Sequence, residues 1–318
     1  MNPLVVPMLI VVVAILAVAP LVFLLLKRSG ASDLWMAELW ARWKSWLIMA
    51  PLFVVPLLLG RVATITAVTL LGLACFYEFS RATGLFRDRL LCWIVLLGIG
   101  LIGFAALDND YGLFVAVGPL IIPLIALAAL QPDRPAGYLQ RVALAALAFL
   151  FFGVGLGHLG YFANDRLYQP LLLLILLCTE LNDVAAYVFG KIFKGPKMAP
   201  NTSPNKTVSG AVLSMLTVAT LFAVLAAPIF AGSALSHPFH LAVMGLLLVI
   251  TAQFGDLVIS SVKRDLGLKD MGSIIPGHGG LLDRFDSLLF VGPALFHYIG
   301  YIQGGIGLDM PVNLIRGG

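Results

Sequence analysis

Residues 239–286 combine the two kinds of sequence from which this chain is built. The stretch FHLAVMGLLLVITAQFGDLVIS, residues 239–260, is almost wholly apolar, and the polar stretch SVKRDLGLKDMGSIIPGHGGLLDRFD, residues 261–286, follows it directly. An apolar stretch of about 20 residues is long enough to cross a bilayer as a helix. The polar stretch concentrates charged residues and glycines, and it therefore predicts a functional loop at a membrane surface.

Apolar stretches of similar length recur along the whole chain. Of its 318 residues, 60% are hydrophobic and 11% are charged, whereas soluble proteins carry about 25% charged residues. We therefore predict an all-α, polytopic integral membrane protein with about ten transmembrane helices. The predicted spans are residues 4–26, 46–60, 62–78, 91–107, 112–130, 142–161, 170–190, 211–231, 239–260 and 286–303.

The second predicted span differs from the others. Residues 46–60 are short and contain Pro51 and Pro56, so this stretch and the next could instead form a tight or re-entrant hairpin. The number of spans would then be nine. We divide the chain into an N-terminal transmembrane helix with a cytoplasmic loop, residues 1–45, and a membrane domain, residues 46–318.

The basic residues lie mostly on one side of the predicted membrane. All but three of the 20 Lys and Arg residues fall in one set of loops, the exceptions being Arg61, Arg166 and Arg316. Loops that remain in the cytoplasm keep positive charge, so we expect this set to be cytoplasmic and, with ten spans, both termini to lie outside. The same rule explains the net charge of +4, and nucleic acid is therefore not an expected partner. The first span has basic residues after it rather than before it, which predicts a retained helix and not a cleaved leader.

Two of these loops, residues 191–210 and 261–285, have the composition of a phosphate site. Both carry lysines, hydroxyl groups and glycines, and polyphosphate binding requires cations and accessible backbone N–H groups. The two spans between them form a hairpin, so we expect both loops at the same membrane face. Lys206, Thr207 and Ser209 also come just before a predicted helix, whose N-terminal amides favour an anion.

Carboxylates accompany these loops. Asp183 and Asp256 fall near the ends of apolar spans, and Asp283 and Asp286 share a face if their segment is helical. Acidic side chains at membrane depth are costly and usually functional. Several hard oxygen ligands beside a phosphate site suit Mg²⁺, so the sequence predicts a magnesium-dependent site.

The polar stretch resembles the signature of the phosphatidate cytidylyltransferase (CDP-diglyceride synthase) family. The matching residues are Ser260, Lys263-Arg264, Lys269-Asp270, Gly272, Pro276-x-His278-Gly279-Gly280 and Asp283-Arg284-x-Asp286. The resemblance runs from about Trp43 to Gln303 and includes Tyr77-Glu78-Phe79, Asn182-Asp183 to Tyr187, and Ser203-Pro-Asn-Lys206-Thr207. Typical members carry Trp-Glu-Gly where this chain has Val208-Ser209-Gly210, and this chain has an additional N-terminal span. These departures are typical of a divergent branch, whose lipid substrate stays open.

The resemblance implies an activity and a set of roles. A phosphate oxygen of phosphatidate attacks the α-phosphorus of CTP, which yields CDP-diacylglycerol and pyrophosphate. The implied cofactor is one or two Mg²⁺ ions, with a monovalent cation as a further candidate, and the implied assembly is a homodimer in a bacterial inner membrane with its active site facing the cytoplasm. The implied catalytic residues are Asp256, Asp283, Lys263, Arg264 and His278. Asp256, Asp283 and Asp286 are the implied metal ligands. Substrate binding is assigned to Lys206, Thr207, Ser209, Lys269, Asp270, Gly279, Gly280, Arg284 and Asp183.

Other interpretations stay open for these residues and for the function. The aspartates could be capping or salt-bridged groups, the cations could be ordinary determinants of topology, and Glu78 could be structural. For His278 we favour phosphate binding over base catalysis, because the lipid phosphate is already ionised near neutral pH. The protein could also be a cytidylyltransferase or CTP-dependent kinase acting on another phosphorylated lipid or a polyprenol, or a membrane transporter.

Overall fold

The computed structural model describes residues 3–30, 32–131, 133–272 and 279–307, which are almost entirely helical. A π-helical segment, Phe149–Gly155, joins the helix Tyr138–Ala148 to the helix Leu156–Tyr161. The α-helices are α1 (Val5–Arg28), α2 (Asp33–Leu59), α3 (Arg61–Thr83), α4 (Arg89–Leu107), α5 (Tyr111–Ala128), α6 (Tyr138–Ala148), α7 (Leu156–Tyr161), α8 (Tyr168–Phe193), α9 (Val208–Ala226), α10 (Pro238–Asp265), α11 (Leu282–Phe285) and α12 (Leu288–Gln303).

Nine helical segments among the described residues are long and apolar enough to cross a membrane. They coincide with nine of the ten predicted spans, which confirms the all-α membrane fold. The remaining prediction, residues 46–60, is not a separate element but the second half of the 27-residue helix α2, whose apolar part is Met49–Leu59. Residues 33–45 were expected to be loop and are helical. They are mostly strong helix formers, and α2 packs against α1, where Trp43 Nε1 donates to the Leu16 carbonyl at 2.8 Å.

One end of the helices is held together by a half-buried arginine. Gly60 makes the turn between α2 and α3 with φ of 113°, a conformation that favours glycine. The next residue, Arg61, donates through Nη2 to the Leu107 carbonyl at 2.6 Å and through Nε to Asn164. These contacts bring together the α2–α3 turn, the end of α4 and the residues that follow α7. We call this the anchor end.

Glycines allow the spans to pack closely around the π-helical segment. A Cβ on Gly72 would lie 2.5 Å from the Phe152 carbonyl oxygen, and a Cβ on Gly155 would lie 2.7 Å from the Leu289 carbonyl oxygen. Small residues let helix backbones approach one another in membrane proteins. The segment therefore sits in the core against α3 and α12.

The segment between α8 and α9 forms a small hairpin, the only sheet in the described ranges. Its strands β1 (Lys197–Ala199) and β2 (Ser203–Thr207) pair antiparallel, with Lys197 opposite Thr207. Because α8, α9 and α10 also extend beyond their predicted ends, the loops predicted at 191–210 and 261–285 are shorter than expected. The ends of α3, α8 and α10 and the starts of α9 and α11 lie opposite the anchor end. We call this the site end.

Candidate active site

Glu78 holds the start of α11. Its Oε1 accepts the backbone N–H of Leu281 at 2.9 Å and its Oε2 accepts that of Leu282 at 2.8 Å. A carboxylate at a helix N-terminus satisfies donors that the helix leaves free. The side chain is 3% exposed. The interpretation of Glu78 as a structural residue therefore agrees with its contacts, and its role is to anchor the polar stretch onto α3.

Two glycines of the polar stretch pack directly on Glu78. A Cβ on Gly272 would lie 2.5 Å from Oε1, and a Cβ on Gly280 would lie 2.5 Å from Oε2 and 2.8 Å from the Gly272 nitrogen. Glu78 cannot move away without losing its two hydrogen bonds to α11. Both positions therefore require glycine, which gives a physical reason for two glycines of the signature.

Asp283 is the centre of a second set of contacts. Its Oδ1 accepts from Lys263 Nζ at 2.8 Å, while its Oδ2 accepts the backbone N–H groups of Met271 at 2.8 Å and Gly280 at 2.9 Å. Lys263 lies in the last turn of α10 and is buried. One carboxylate thus joins α10, the segment after it and the start of α11, and both of its oxygens are occupied by protein donors.

Lys206 and Asp256 form an ion pair between β2 and α10. Asp256 also accepts a hydrogen bond from Ser260 at 3.0 Å through Oδ1. The side chains of Lys206 and Asp256 are 21% and 22% exposed, so this pair is less buried than the Lys263–Asp283 pair. The pair therefore joins the first of the two predicted loops to α10.

The hydroxyl groups of Thr207 and Ser209 hydrogen-bond to backbone groups around the start of α9. Thr207 Oγ1 caps α9 by accepting the Gly210 N–H at 3.1 Å, and Ser209 Oγ donates to the Lys194 carbonyl. Gly210 is packed against α8, where a Cβ would lie 2.4 Å from the Ala186 carbonyl oxygen. The substrate-binding roles predicted for the two hydroxyls stay predictions, since both hydroxyls already have protein partners.

The charged side chains at the site end form one group, which we call the charged cluster. Asp183 is exposed and interacts electrostatically with Asp256, Lys206 and Arg284. Asp286 is buried and interacts with Asp256, Asp183 and Lys263. Glu180, which lies on α8 one turn before Asp183, also belongs to this group, although the sequence analysis gave it no role. Its spacing of three residues from Asp183 is the signal that could have identified it. The cluster consists of Glu180, Asp183, Lys206, Asp256, Lys263, Asp283, Arg284 and Asp286.

The remaining predicted residues lie at the exposed edge of the site. Arg264 donates to the Thr202 carbonyl at 3.3 Å and to the Leu268 carbonyl at 2.8 Å, and so connects α10 to the hairpin turn. Lys269 and Asp270 are exposed. Gly279 has φ of +81°, and a Cβ there would lie 3.0 Å from both Asp270 and Asp283. The predicted catalytic residue His278 falls outside the described residues, as does Pro276.

The described carboxylates do not form a ready metal site. No three His, Cys, Asp or Glu side chains in residues 3–30, 32–131, 133–272 and 279–307 are grouped so that they could hold an ion. Asp283 uses both oxygens for protein donors, and Asp256 is paired with Lys206 and Ser260. The ligand set predicted for Mg²⁺ (Asp256, Asp283 and Asp286) is thus not assembled in this arrangement. Magnesium dependence stays a prediction of the sequence.

Comparison with known proteins identifies the family. Residues 40–302 match the sequence model of the cytidylyltransferase family. The chain belongs to that family. The matched range agrees with the resemblance found from about Trp43 to Gln303, and it begins within α2, so α1 lies outside it.

Three relatives illustrate the range of similarity within the cytidylyltransferase family. The chain is 32% identical over 249 residues to the protein YnbB of Escherichia coli (strain K12), covering 76% of this chain and 80% of that protein. It is 33% identical over 238 residues to a phosphatidate cytidylyltransferase of Brucella melitensis biotype 1, covering 73% and 82%. It is 47% identical over 118 residues to a phosphatidate cytidylyltransferase of Rickettsia felis, covering 36% and 52%.

Proposed function

We propose that this protein is a phosphatidate cytidylyltransferase, which converts CTP and phosphatidate into CDP-diacylglycerol and pyrophosphate. Membership of the cytidylyltransferase family supports the transfer of a cytidylyl group. The two relatives named phosphatidate cytidylyltransferase support phosphatidate as the acceptor. The multi-pass fold supports an acceptor that is embedded in a bilayer.

The observation that carries the proposal is the charged cluster at the site end. The reaction joins two anions, so the enzyme must supply fixed positive charge where the phosphates meet. Lys206, Lys263 and Arg284 lie among carboxylates at the ends of apolar helices. Charged groups at this depth are expensive unless they are paired, and within the cluster Lys206 is paired with Asp256 and Lys263 with Asp283.

The chain's own residues position the reaction. A phosphate oxygen of phosphatidate forms a bond to the α-phosphorus of CTP, and the bond from that phosphorus to the bridging oxygen breaks, so pyrophosphate leaves with the electron pair. Lys206 and Arg284 neutralise phosphate oxygens, and Lys206, the less buried of the two paired lysines, exchanges Asp256 for a phosphate. Lys263 stays bound to Asp283 and keeps α10 and α11 in register beneath the substrates. Positioning and charge neutralisation are the main sources of rate in such transfers.

Orientation and assembly are part of the same proposal. The excess of Lys and Arg in the loops at the site end favours a cytoplasmic active site, where CTP is available. The relatives described above come from bacteria, which favours the bacterial inner membrane. Homodimerisation is suggested by the resemblance alone and is tested by measuring the mass of the purified protein in nanodiscs.

The proposal is tested by the products formed from a panel of phosphorylated lipids. Purified protein in nanodiscs is given CTP with phosphatidate, with phosphorylated polyprenol or with another phosphorylated lipid, and the lipid product is weighed by mass spectrometry. We expect CDP-diacylglycerol from phosphatidate and little product from the others. Efficient cytidylylation of a different lipid would correct the acceptor, and a product that gains a single phosphate would identify a CTP-dependent kinase instead.

A further inference from the structure

An apolar cavity of about 420 Å³ lies next to the candidate active site, between α2, α3, α8 and α12. Its volume is within the range of about 300–1,000 Å³ that is usual for small-molecule pockets. We call it the apolar groove. Its lining includes Phe53, Leu57, Ala67, Ala74, Leu176 and Leu281.

One face of α3 forms a wall of the groove and leads to the site. Thr64, Ala67, Leu71 and Ala74 line the groove, and their spacing of three or four residues places them on one face of the helix. Glu78 is the next residue on that face, and it holds Leu281 by a hydrogen bond. The groove therefore ends beside the residue that anchors the polar stretch.

Two further contacts connect the groove to the charged cluster. Leu281, which lines the groove, comes two residues before Asp283. Phe53 of α2 also lines it, and its ring lies 4.7 Å from the ring of Phe285, two residues after Asp283. Of the residues that flank Asp283, Leu281 thus lines the groove and Phe285 contacts a side chain that lines it. A ligand in the groove would end at the place where the charged cluster begins.

The groove is about half as long as the hydrocarbon core of a bilayer is thick. Ten residues separate Thr64 from Ala74, which is about 15 Å along a helix at about 1.5 Å per residue. This is half of the hydrocarbon core of about 30 Å. Nearly all of the lining side chains are apolar, so the groove suits a hydrocarbon chain and offers little to a polar ligand.

We propose that the apolar groove binds an acyl chain of the phosphatidate substrate while the phosphate lies at the charged cluster. This inference rests on the proposed function and adds the site that holds the lipid tail. It assigns Ala67 and Ala74 as the residues that keep the groove open, because both are small and half-buried within its wall. A larger side chain at either position would occupy the space of several methylene groups.

The first test compares substrates of different chain length in the variants Ala67→Phe and Ala74→Phe. We expect kcat/KM for dioleoyl phosphatidate to fall about ten-fold or more, which corresponds to the loss of contact with about two methylene groups. For dihexanoyl phosphatidate, whose chains are too short to fill the groove, kcat/KM should change little. Ala116→Phe is the matched control, since Ala116 is exposed on α5 away from the groove, and it should leave both substrates unaffected.

A second test does not depend on turnover. Phosphatidate with a photoreactive diazirine in one acyl chain is irradiated with the wild-type protein in nanodiscs, and labelled peptides are mapped. We expect adducts on α3 and α8 that decrease in Ala74→Phe and persist in Ala116→Phe. An equal loss of kcat/KM for long-chain and short-chain phosphatidate, or labelling that is unchanged in Ala74→Phe, would overturn the groove assignment. Wild-type protein that labels as expected but forms no liponucleotide would leave the groove assigned and refute the proposed function.

Discussion

Lys263 Nζ donates to Asp283 Oδ1 at 2.8 Å, with side chains that are only 10% and 4% exposed. The other oxygen of Asp283 accepts two backbone N–H groups from Met271 and Gly280. Around this one carboxylate the end of α10 and the start of α11 are fixed to each other. The pair is therefore a positioning element of the site, and its disruption should affect both folding and activity.

The variant Asp283→Asn should abolish lipid formation and lower stability. An asparagine oxygen can still accept the two backbone N–H groups, but the amide cannot neutralise buried Lys263. Removing one partner of a buried ion pair costs about 3–5 kcal/mol. We expect a lower thermal midpoint in detergent, with the helical content unchanged by circular dichroism.

A double-mutant cycle separates this ion pair from other effects of the substitution. The loss of stability in Asp283→Asn combined with Lys263→Met should be smaller than the sum of the single losses, because the unpaired buried charge is gone. Simple additivity would contradict the assignment of the pair as the source of the stability change.

Glu78→Gln should weaken the anchor of α11. A glutamine offers one acceptor oxygen, and its NH₂ group faces a backbone N–H that then has no acceptor. An unsatisfied buried donor costs about 1–3 kcal/mol, and the displaced α11 should lower activity as well. Thermal unfolding and turnover are measured against Asp133→Asn, an exposed position outside the charged cluster. A Glu78→Gln variant as stable and active as that control would contradict the anchoring role.

Gly280→Ala and Gly272→Ala should both reduce activity, and Gly280→Ala should reduce it more. In both variants the added Cβ would overlap the Glu78 carboxylate, which its hydrogen bonds to α11 hold in place. At position 280 the Cβ would also overlap the Gly272 backbone nitrogen. Gly100→Ala is the matched control, because a Cβ there meets nothing within 4 Å. We expect the control to be neutral in turnover assays. Equal activity in all three variants would show that the contacts to Glu78 are unimportant.

Lys206→Ala should remove most of the activity, whereas Lys197→Ala should change it little. Lys206 is paired with Asp256 within the charged cluster, while Lys197 is exposed on β1. Loss of a charge-assisted contact to a phosphate in a catalytic site corresponds to about 10²-fold or more in rate. Initial rates at saturating CTP and phosphatidate distinguish the two variants, and similar losses in both would assign Lys206 to general electrostatics rather than to the site.

Magnesium dependence is a separate prediction, because it was inferred from the sequence. Activity should disappear with a chelator and return when Mg²⁺ is added in excess. The described carboxylates are not grouped as a metal site. Turnover that survives thorough chelation would show that the reaction does not require Mg²⁺. It would leave charge neutralisation to Lys206 and Arg284.

Sequence reasoning predicted the spans well because each one is a long apolar run whose ends carry charge. It also placed the two loops flanking α9 and α10 at one membrane face, since an antiparallel helix pair returns the chain to the face from which it started. In the structure Arg264 of the second loop donates to the Thr202 carbonyl of the first. The sequence prediction placed the start of α2 incorrectly, because residues 33–45 are polar enough to be interpreted as a loop.

The contacts inside the site could not be predicted in the same way. Glu78 lies 203 residues before Leu281 in the chain, and no local pattern indicates that its carboxylate would cap α11. The use of both Asp283 oxygens depends on the path of the backbone at Met271 and Gly280, which a list of residues does not specify. The same carboxylate was therefore open to interpretation as a metal ligand or as a salt-bridged group, and the described contacts are those of the salt-bridged group.

The fate of the individual phosphates of CTP tests the central claim most directly. Purified protein in nanodiscs with phosphatidate is supplied with CTP labelled at the α-phosphorus in one reaction and at the γ-phosphorus in another. We predict that the α label enters the lipid and that the γ label is released as pyrophosphate. Transfer of the γ label to the lipid, or the absence of any labelled lipid from well-folded protein, would contradict cytidylyl transfer to phosphatidate.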